Sequence, residues 1–314
     1  MTKSVLILGS NGRFGRNAAL AFSWANWEVT RFDRATDTLP DAAWGADVIV
    51  NAWNPAYPDW ARQVPELTRK VIDTAKDTGA TVLIPGNLYN YGAGMPSELR
   101  ETTPHQPTGP LGQIRVDMER AYREAGVRTI ILRAGDYIDT TASGNWYDKI
   151  ITAKLDKGIV TYPGDLDIPH AWAFLHDVAD AAVMLCKQAQ DLPKFFEVNF
   201  PGYTLTAREL HHELEKATER PMSLRQMSWW PMHLAKPFWP LAKPLLQMSY
   251  LWNTPHSVVS ERFSELLPDF EPTPLLEAIS ASLPDDINPN RIMPRAIGGL
   301  RRPFHTCCPH AKAM

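Results

Sequence analysis

Three glycines near the start of the chain constrain its fold more than any other feature. The apolar run Val5-Leu6-Ile7-Leu8 ends at Gly9, and Gly12 and Gly15 follow at intervals of three residues. An apolar β-type run that stops at glycine and passes at once into a helix-compatible segment, Arg16–Ser23, is a strand–turn–helix unit. Gly9 permits the tight exit from the strand, Gly12 leaves room for a second group to approach the backbone, and Gly15 lets the helix lie close to the strand. The helix that starts here presents unpaired N–H groups and the positive end of its dipole to the loop, an arrangement that suits phosphate. Asn11, Arg13 and Phe14 fill the loop between the glycines.

The alternation continues along the chain. Residues 27–32, 47–50, 81–84, 129–132 and 195–200 read as strands, and 60–78, 113–124 and 177–187 as helices. Continuous apolar strands separated by helices predict an α/β fold, a doubly wound parallel sheet of the Rossmann type covered on both faces. After Gly135 the pattern changes. Residues 146–157 read as a helix closed by Gly158, and Thr206-Ala207-Arg208-Glu209 reads as a capping box that opens a helix to about Thr218. We assign residues 1–140 and 165–200 to a dinucleotide-binding domain, 141–164 and 201–287 to an interleaved substrate lobe, and 288–314 to a C-terminal extension.

Asp33 ends the second strand, eighteen residues past Gly15. A carboxylate there can hold the ribose hydroxyls of an adenine dinucleotide, which favours NAD. Arg34 follows it and could pair with a 2′-phosphate, which favours NADP. A carboxylate repels that phosphate, so the reading leans to NAD.

The 32 Lys and Arg are balanced by 35 Asp and Glu, which excludes the basic footprint of a nucleic-acid binder. A hydrophobic share of 44% excludes intrinsic disorder. Three cysteines give no disulfide framework, and no apolar run has the length of a membrane span or of a signal-peptide core. The expectation is a cytoplasmic protein with a small-molecule substrate, no nucleic-acid partner and no transmembrane segment, with a homo-oligomer left open.

The chain resembles an extended, atypical short-chain dehydrogenase/reductase of the NAD-dependent epimerase/dehydratase type. The matching features run from Val5 to about Leu276. They include the glycine loop, Gly45-Ala46-Asp47-Val48-Ile49-Val50-Asn51-Ala52, Tyr91-Gly92 and Glu101-Thr102-Thr103-Pro104. Leu132-Arg133-Ala134-Gly135-Asp136-Tyr137, Phe174-Leu175-His176-Asp177-Val178-Ala179 and Leu205-Thr206-Ala207-Arg208-Glu209-Leu210 continue the match. The resemblance implies an oxidoreductase or epimerase-like enzyme acting on a small carbonyl, alcohol or sugar-derived compound. It implies that Gly9, Asn11, Gly12, Arg13, Phe14, Gly15, Asp33, Arg34, Asn51, Ala52, Trp53, Asn87 and Arg115 hold NAD or NADP.

The departures from the family concern catalysis. Members use a Ser or Thr followed by Tyr-x-x-x-Lys, in which the tyrosine is the acid/base and the lysine lowers its pKa. Here the slot reads Leu111-Gly112-Gln113-Ile114-Arg115, and the Ser/Thr position holds Asn87. Leucine cannot move a proton, and arginine offers a planar fork in place of a point charge. Some atypical branches read similarly. Tyr89, Tyr91, Asp136 and Tyr137 follow strand ends, where ligands bind in open α/β sheets. We expect Tyr91 to be structural, Tyr89 to be the replacement acid and Asp136 the next candidate, with Asn87 and Arg115 positioning substrate and ribose. The second expectation is a non-catalytic NAD(P)-binding sensor.

No metal site is expected. His211-His212-Glu213 with Glu215 reads as a polar helix surface, and His305-Thr306-Cys307-Cys308-Pro309-His310 matches no structural zinc spacing. His176-Asp177 reads as a helix start. The segment 227–248 holds Trp229, Trp230, Trp239 and four prolines, but only Lys236 and Lys243 as formal charges. Its prolines exclude a membrane-spanning helix. We expect it to pack as short helices over the cofactor cleft, the alternative being an interfacial patch.

Overall fold

The computed structural model describes residues 2–284 and 286–288. The first half runs β1 (Ser4–Leu8), α1 (Arg13–Trp24), β2 (Glu28–Arg31), α2 (Leu39–Ala43), β3 (Val48–Asn51), α3 (Trp60–Thr78), β4 (Thr81–Gly86), β5 (Glu98–Leu99), α4 (Pro110–Ala125), β6 (Thr129–Arg133) and β7 (Asp136–Ile138). The second half runs β8 (Ile159–Tyr162), β9 (His170–Phe174), α5 (Leu175–Lys187), β10 (Phe195–Asn199), β11 (Tyr203–Leu205), α6 (Ala207–Thr218), β12 (Ser223–Gln226), α7 (Trp230–Ala235), α8 (Ala242–Gln247), β13 (Ser257–Val258), α9 (Glu261–Leu266) and α10 (Leu275–Ser282).

Six strands form one parallel sheet in the order β10-β6-β4-β3-β1-β2. The chain steps from β1 outward to β2, then returns to the other side of β1 and moves steadily away. That reversal opens a crevice beyond the carboxyl ends of β1 and β3. Side chains alternate across the sheet as a strand requires. Val5 and Ile7 enter the core with Phe22, Val178 and Leu185, whereas Leu6 and Leu8 enter the core with Val71, Met118 and Tyr122. Burial on both faces explains why the sheet's inner strands read as continuous apolar runs.

A three-stranded sheet, β11-β9-β7, backs a third core that contains Tyr147, Trp172, Leu210, Trp252 and Ile279. Strand β9 runs straight into α5 and is buried at every position, and sequence periodicity did not separate the two. The capping box at Thr206 and Glu209 forms as expected.

Residues 146–157 are not the single helix expected. A π-type turn, Tyr147–Ile151, is followed by a separate 3-10 turn, Leu155–Lys157, that ends at Gly158 with φ +64°. The Tyr147 carbonyl accepts both the Thr152 N–H and the Thr152 hydroxyl at 2.8 Å, and this local bonding displaces the helical ladder.

The proline- and tryptophan-rich segment also departs from expectation. Trp229 packs on Trp146 and donates from Nε1 to the Pro163 carbonyl, and Trp252 packs on Trp146 and Tyr162. Beyond Trp229 the chain leaves the core. Trp230, Leu234, Phe238 and Trp239 are 66%, 57%, 89% and 41% exposed, and none of them lines the cleft. Pro237 and Pro240 follow close on α7, which has only six residues and packs on α8. Such a short helix cannot carry an apolar stripe into the core. The sequence reading of 288–314, including His305, Cys307, Cys308 and His310, lies outside the described residues apart from Asn288.

Candidate active site

A cleft of about 390 Å3 lies at the crevice. Gly9, Gly12, Arg13 and Phe14 line one end of it, and Asn87, Tyr89, Arg115 and Asp136 also line it. Its walls include Arg34 from the loop after β2, Asn51 at the end of β3 with Ala52 and Trp53 just past it, and Leu251 and His256 from beyond α8.

The glycine loop is a cradle that side chains would fill. A Cβ on Gly15 would stand 2.2 Å from the Gly9 carbonyl oxygen, and one on Gly9 2.8 Å from the Ala52 oxygen, at a φ of +76°. Helix α1 opens after Gly12 with no side-chain cap, so its first N–H groups are left to a ligand. Asn11 is exposed at the tip of the loop. The mouth is braced by Arg16, whose Nη2 lies 2.7 Å from the buried Asp139 carboxylate.

The strand ends fill as their positions suggest. The Ala52 N–H donates to the Leu8 carbonyl, and the Asn51 amide donates to the Tyr122 hydroxyl at 3.0 Å. Asp33 is exposed and lies outside the cleft lining, where its Oδ1 accepts the Ala35 N–H at 2.9 Å and closes its own turn. Arg34 instead faces the cleft, with its guanidinium stacked 4.7 Å from the Trp53 ring.

Leu111, in the slot of the usual tyrosine, is 4% exposed and packs in the apolar core instead of lining the cleft. Gly112 follows because α4 presses on the Tyr89 turn. A Cβ there would stand 2.3 Å from the Tyr89 carbonyl oxygen. Arg115, one turn on, is buried, and its Nη2 donates to the Pro85 carbonyl at 2.7 Å. Its Nε has no protein partner, and burial lowers the guanidinium pKa. Asn87 accepts the Tyr89 N–H on its side-chain oxygen.

Tyr89 is brought against a residue that the sequence did not single out. Its hydroxyl lies 2.6 Å from that of Tyr57. Burial pushes the Tyr89 phenol well above its usual pKa, with Tyr57 and Asp136 adding to the effect. Burial also raises Tyr57, whose bond to Tyr89 works the other way. Tyr91 is 1% exposed, sits under Arg133 and stays out of the cleft, as a structural residue would.

Asp136 faces a second unforeseen group. Its Oδ2 lies 2.8 Å from Nε2 of His170, which stacks on Trp252 at 4.3 Å and meets His256 edge-on at 4.5 Å. His256 donates from Nδ1 to the Thr254 carbonyl at 2.8 Å, since a carbonyl can only accept. Burial, reinforced by His170, holds the His256 pKa down at about 3. The ring is therefore neutral at physiological pH, with an unpartnered Nε2.

A buried ionic network stands behind the cleft floor. Arg133, fully buried, bonds Glu119 at 2.8 Å and Glu197 at 2.5 Å, and it donates to the Asn87 carbonyl at 2.6 Å. Burial alone would raise the Glu197 pKa, but Arg133 and His105 outweigh it and hold the carboxyl at about 2. His105, Glu119 and Glu197 come close enough to bind a metal ion, but the Arg133 guanidinium already supplies the cation that the carboxylates require. His211 bonds the Met222 carbonyl and Glu215 accepts the Met222 N–H, His176 bonds Thr140, and Asp177 accepts from Thr273. These groups serve the framework.

No family model matches the chain, and no curated protein matches it. Solved structures do. The chain superposes on MoeE5 in complex with UDP-glucose and NAD with a TM-score of 0.68 at 15% identity, covering 90% of this chain and 97% of the other. A UDP-galactose 4-epimerase gives a TM-score of 0.64 at 14% identity, with the same coverages. RMD from Pseudomonas aeruginosa complexed with NADPH gives 0.65 at 16% identity, again over 90% and 97%. Likeness at this level over nearly the whole of both chains shows the fold alone: a Rossmann-type parallel sheet like that of these epimerase structures.

Proposed function

We propose that this chain is an NAD(P)-dependent oxidoreductase or epimerase-like enzyme of the atypical short-chain dehydrogenase/reductase type. Its substrate would be a small carbonyl, alcohol or sugar-derived compound. The observation that carries the reading is a single cleft that joins the uncapped glycine loop to Asn87, Tyr89, Arg115 and Asp136. The solved structures of this fold that hold UDP-glucose with NAD, or NADPH, support it.

The residues fit such a cofactor. Gly9, Gly12 and the first N–H groups of α1 would hold the pyrophosphate, Ala52 and Trp53 would flank the adenosine half, and Arg115 would meet the nicotinamide ribose. When bound, the nicotinamide supplies a hydride donor or acceptor. Arg34 beside the Trp53 ring is a ready partner for a 2′-phosphate, and Asp33 is committed to its own turn. The geometry therefore tempers the lean to NAD that the sequence suggested.

For the proton, Tyr89 is the donor we assign. Its buried phenol stays protonated at neutral pH, as an acid that gives a proton to a developing alkoxide must. Tyr57 completes the pair by accepting or returning a hydrogen bond at 2.6 Å. Asn87, anchored through its carbonyl to Arg133, orients the substrate oxygen. Asp136 also lines the cleft and is held from behind by its 2.8 Å contact with the buried His170.

The test has two arms. Titration with NAD and NADP, followed by intrinsic tryptophan fluorescence, reports binding. A panel of carbonyl compounds and UDP-sugars, followed by reduced-cofactor absorbance or by product analysis, reports turnover. Tyr89→Phe is expected to lower turnover about a hundredfold or more with cofactor affinity unchanged. Unchanged turnover would remove Tyr89 from the chemistry. Tight cofactor binding without turnover on the whole panel would favour the sensor, a reading that the buried Leu111 supports.

A further inference from the structure

We propose that the exposed segment around α7 is a membrane-interfacial patch that docks the protein on an anionic phospholipid surface. This inference is independent of the cleft chemistry. Trp230, Leu234 and Phe238 recur every four residues, and Trp239 adjoins them. All four are exposed, Phe238 at 89%. Large exposed apolar side chains grouped in this way mark an interaction surface.

Charge identifies the partner. Between Glu219 and Glu261 the sequence contains no Asp or Glu, while Arg220, Arg225, Lys236 and Lys243 are all cations. Lys236 and Lys243 are exposed in the same stretch as the aromatic residues. Tryptophan and phenylalanine interleaved with lysine suit the headgroup boundary of a bilayer, where indole rings settle and cations meet anionic lipid. A second copy of the chain fits less well. A stable dimer uses about 20–30 residues per side, whereas the apolar side chains here come from one short stretch.

The patch has a rigid base. Trp229 is fixed by its bond to the Pro163 carbonyl and by its packing on Trp146, and Ala242 and Pro244 of α8 are buried. The exposed side chains can therefore be changed without disturbing the core.

Vesicle sedimentation of the full chain tests the proposal, with phosphatidylcholine alone and with phosphatidylcholine mixed with phosphatidylglycerol. The wild type is expected to sediment with the mixed vesicles far more than with phosphatidylcholine alone, and less as salt is added. Trp230→Ser with Phe238→Ser should lower partitioning about tenfold or more at an unchanged melting temperature. Lys236→Glu with Lys243→Glu should abolish the preference for the anionic lipid. Equal sedimentation with the two compositions, no sedimentation with either, or undiminished binding by the serine variant would overturn the proposal. So would a dimer that the serine substitutions dissolve in a chain that ignores vesicles, since the surface would then belong to a second copy.

Discussion

Replacing Arg133 by methionine is the sharpest test of how the cleft floor is held. Methionine fills a similar volume but leaves Glu119 and Glu197 without the cation that both contact. Removing one partner of a buried ionic group costs about 3–5 kcal/mol, because the charges left behind are neither solvated nor paired. Arg133 and His105 together hold Glu197 at about 2 against an ordinary 4.5, which favours its charged form by about 3 kcal/mol in the wild type. A carboxyl whose pKa is lowered by folding gives its stabilisation fully above 4.5 and loses it as the pH falls toward 2. In Arg133→Met, burial acts on the carboxyl with only His105 left to oppose it, so it takes up its proton at higher pH and the penalty shrinks as the pH falls. The variant should therefore unfold at a lower urea midpoint than the wild type at neutral pH, with a gap of about 3–5 kcal/mol that narrows toward about pH 4. Urea unfolding followed by tryptophan fluorescence at several pH values measures this. A gap below about 1 kcal/mol, or one that stays constant from neutral to acid pH, would refute the account.

Two further outcomes follow from the geometry. Gly15→Ala places a Cβ 2.2 Å from the Gly9 carbonyl oxygen, so the start of α1 must shift. Cofactor titration should show an affinity loss of about tenfold or more with the far-ultraviolet spectrum intact, and unchanged affinity would mean that the loop is not the cradle. His256→Gln bears on acid stability. A histidine whose folded pKa is about 3 against 6.5 contributes stability fully above 6.5 and loses it as the pH falls through that window. The wild type should lose melting temperature on acidification from neutral pH more steeply than the glutamine variant in a thermal scan, and parallel slopes would show that His256 is not buried as a neutral ring.

The parts of the molecule that sequence periodicity made legible are those with short-range causes. Strands buried on both faces read as apolar runs, the glycine loop announced its own turn, and Thr206 with Glu209 announced a helix start, because each signal lies within a few residues. The site was half legible for the same reason. Asn87, Tyr89, Arg115 and Asp136 follow strand ends or sit on the first turns of a helix, and the cleft gathers all four. Tyr57, His170 and His256 were not legible. Tyr57 reaches Tyr89 from 32 residues away in sequence, and His170 reaches Asp136 from 34. Only the pairing of β3 with β4, and of β7 with β9, brings them together. The two failures of local reading have local causes that composition hides. A threonine hydroxyl competes for the carbonyl that a helix at 147–152 would use, and closely spaced prolines cut the Trp-rich segment into pieces too short to reach the core.

The burial of Leu111 makes a tyrosine hard to place at this position. Its side chain contributes to an apolar core and not to the wall of the cleft. A tyrosine restored at this position would bring a larger ring and a hydroxyl into a space that offers apolar neighbours, and Gly112 already touches the Tyr89 turn. A tyrosine could be accommodated there only if the start of α4 moved away from that turn, and the same turn carries Tyr89. Engineering that aims to place a tyrosine on α4 would therefore have to rebuild the turn and the helix together.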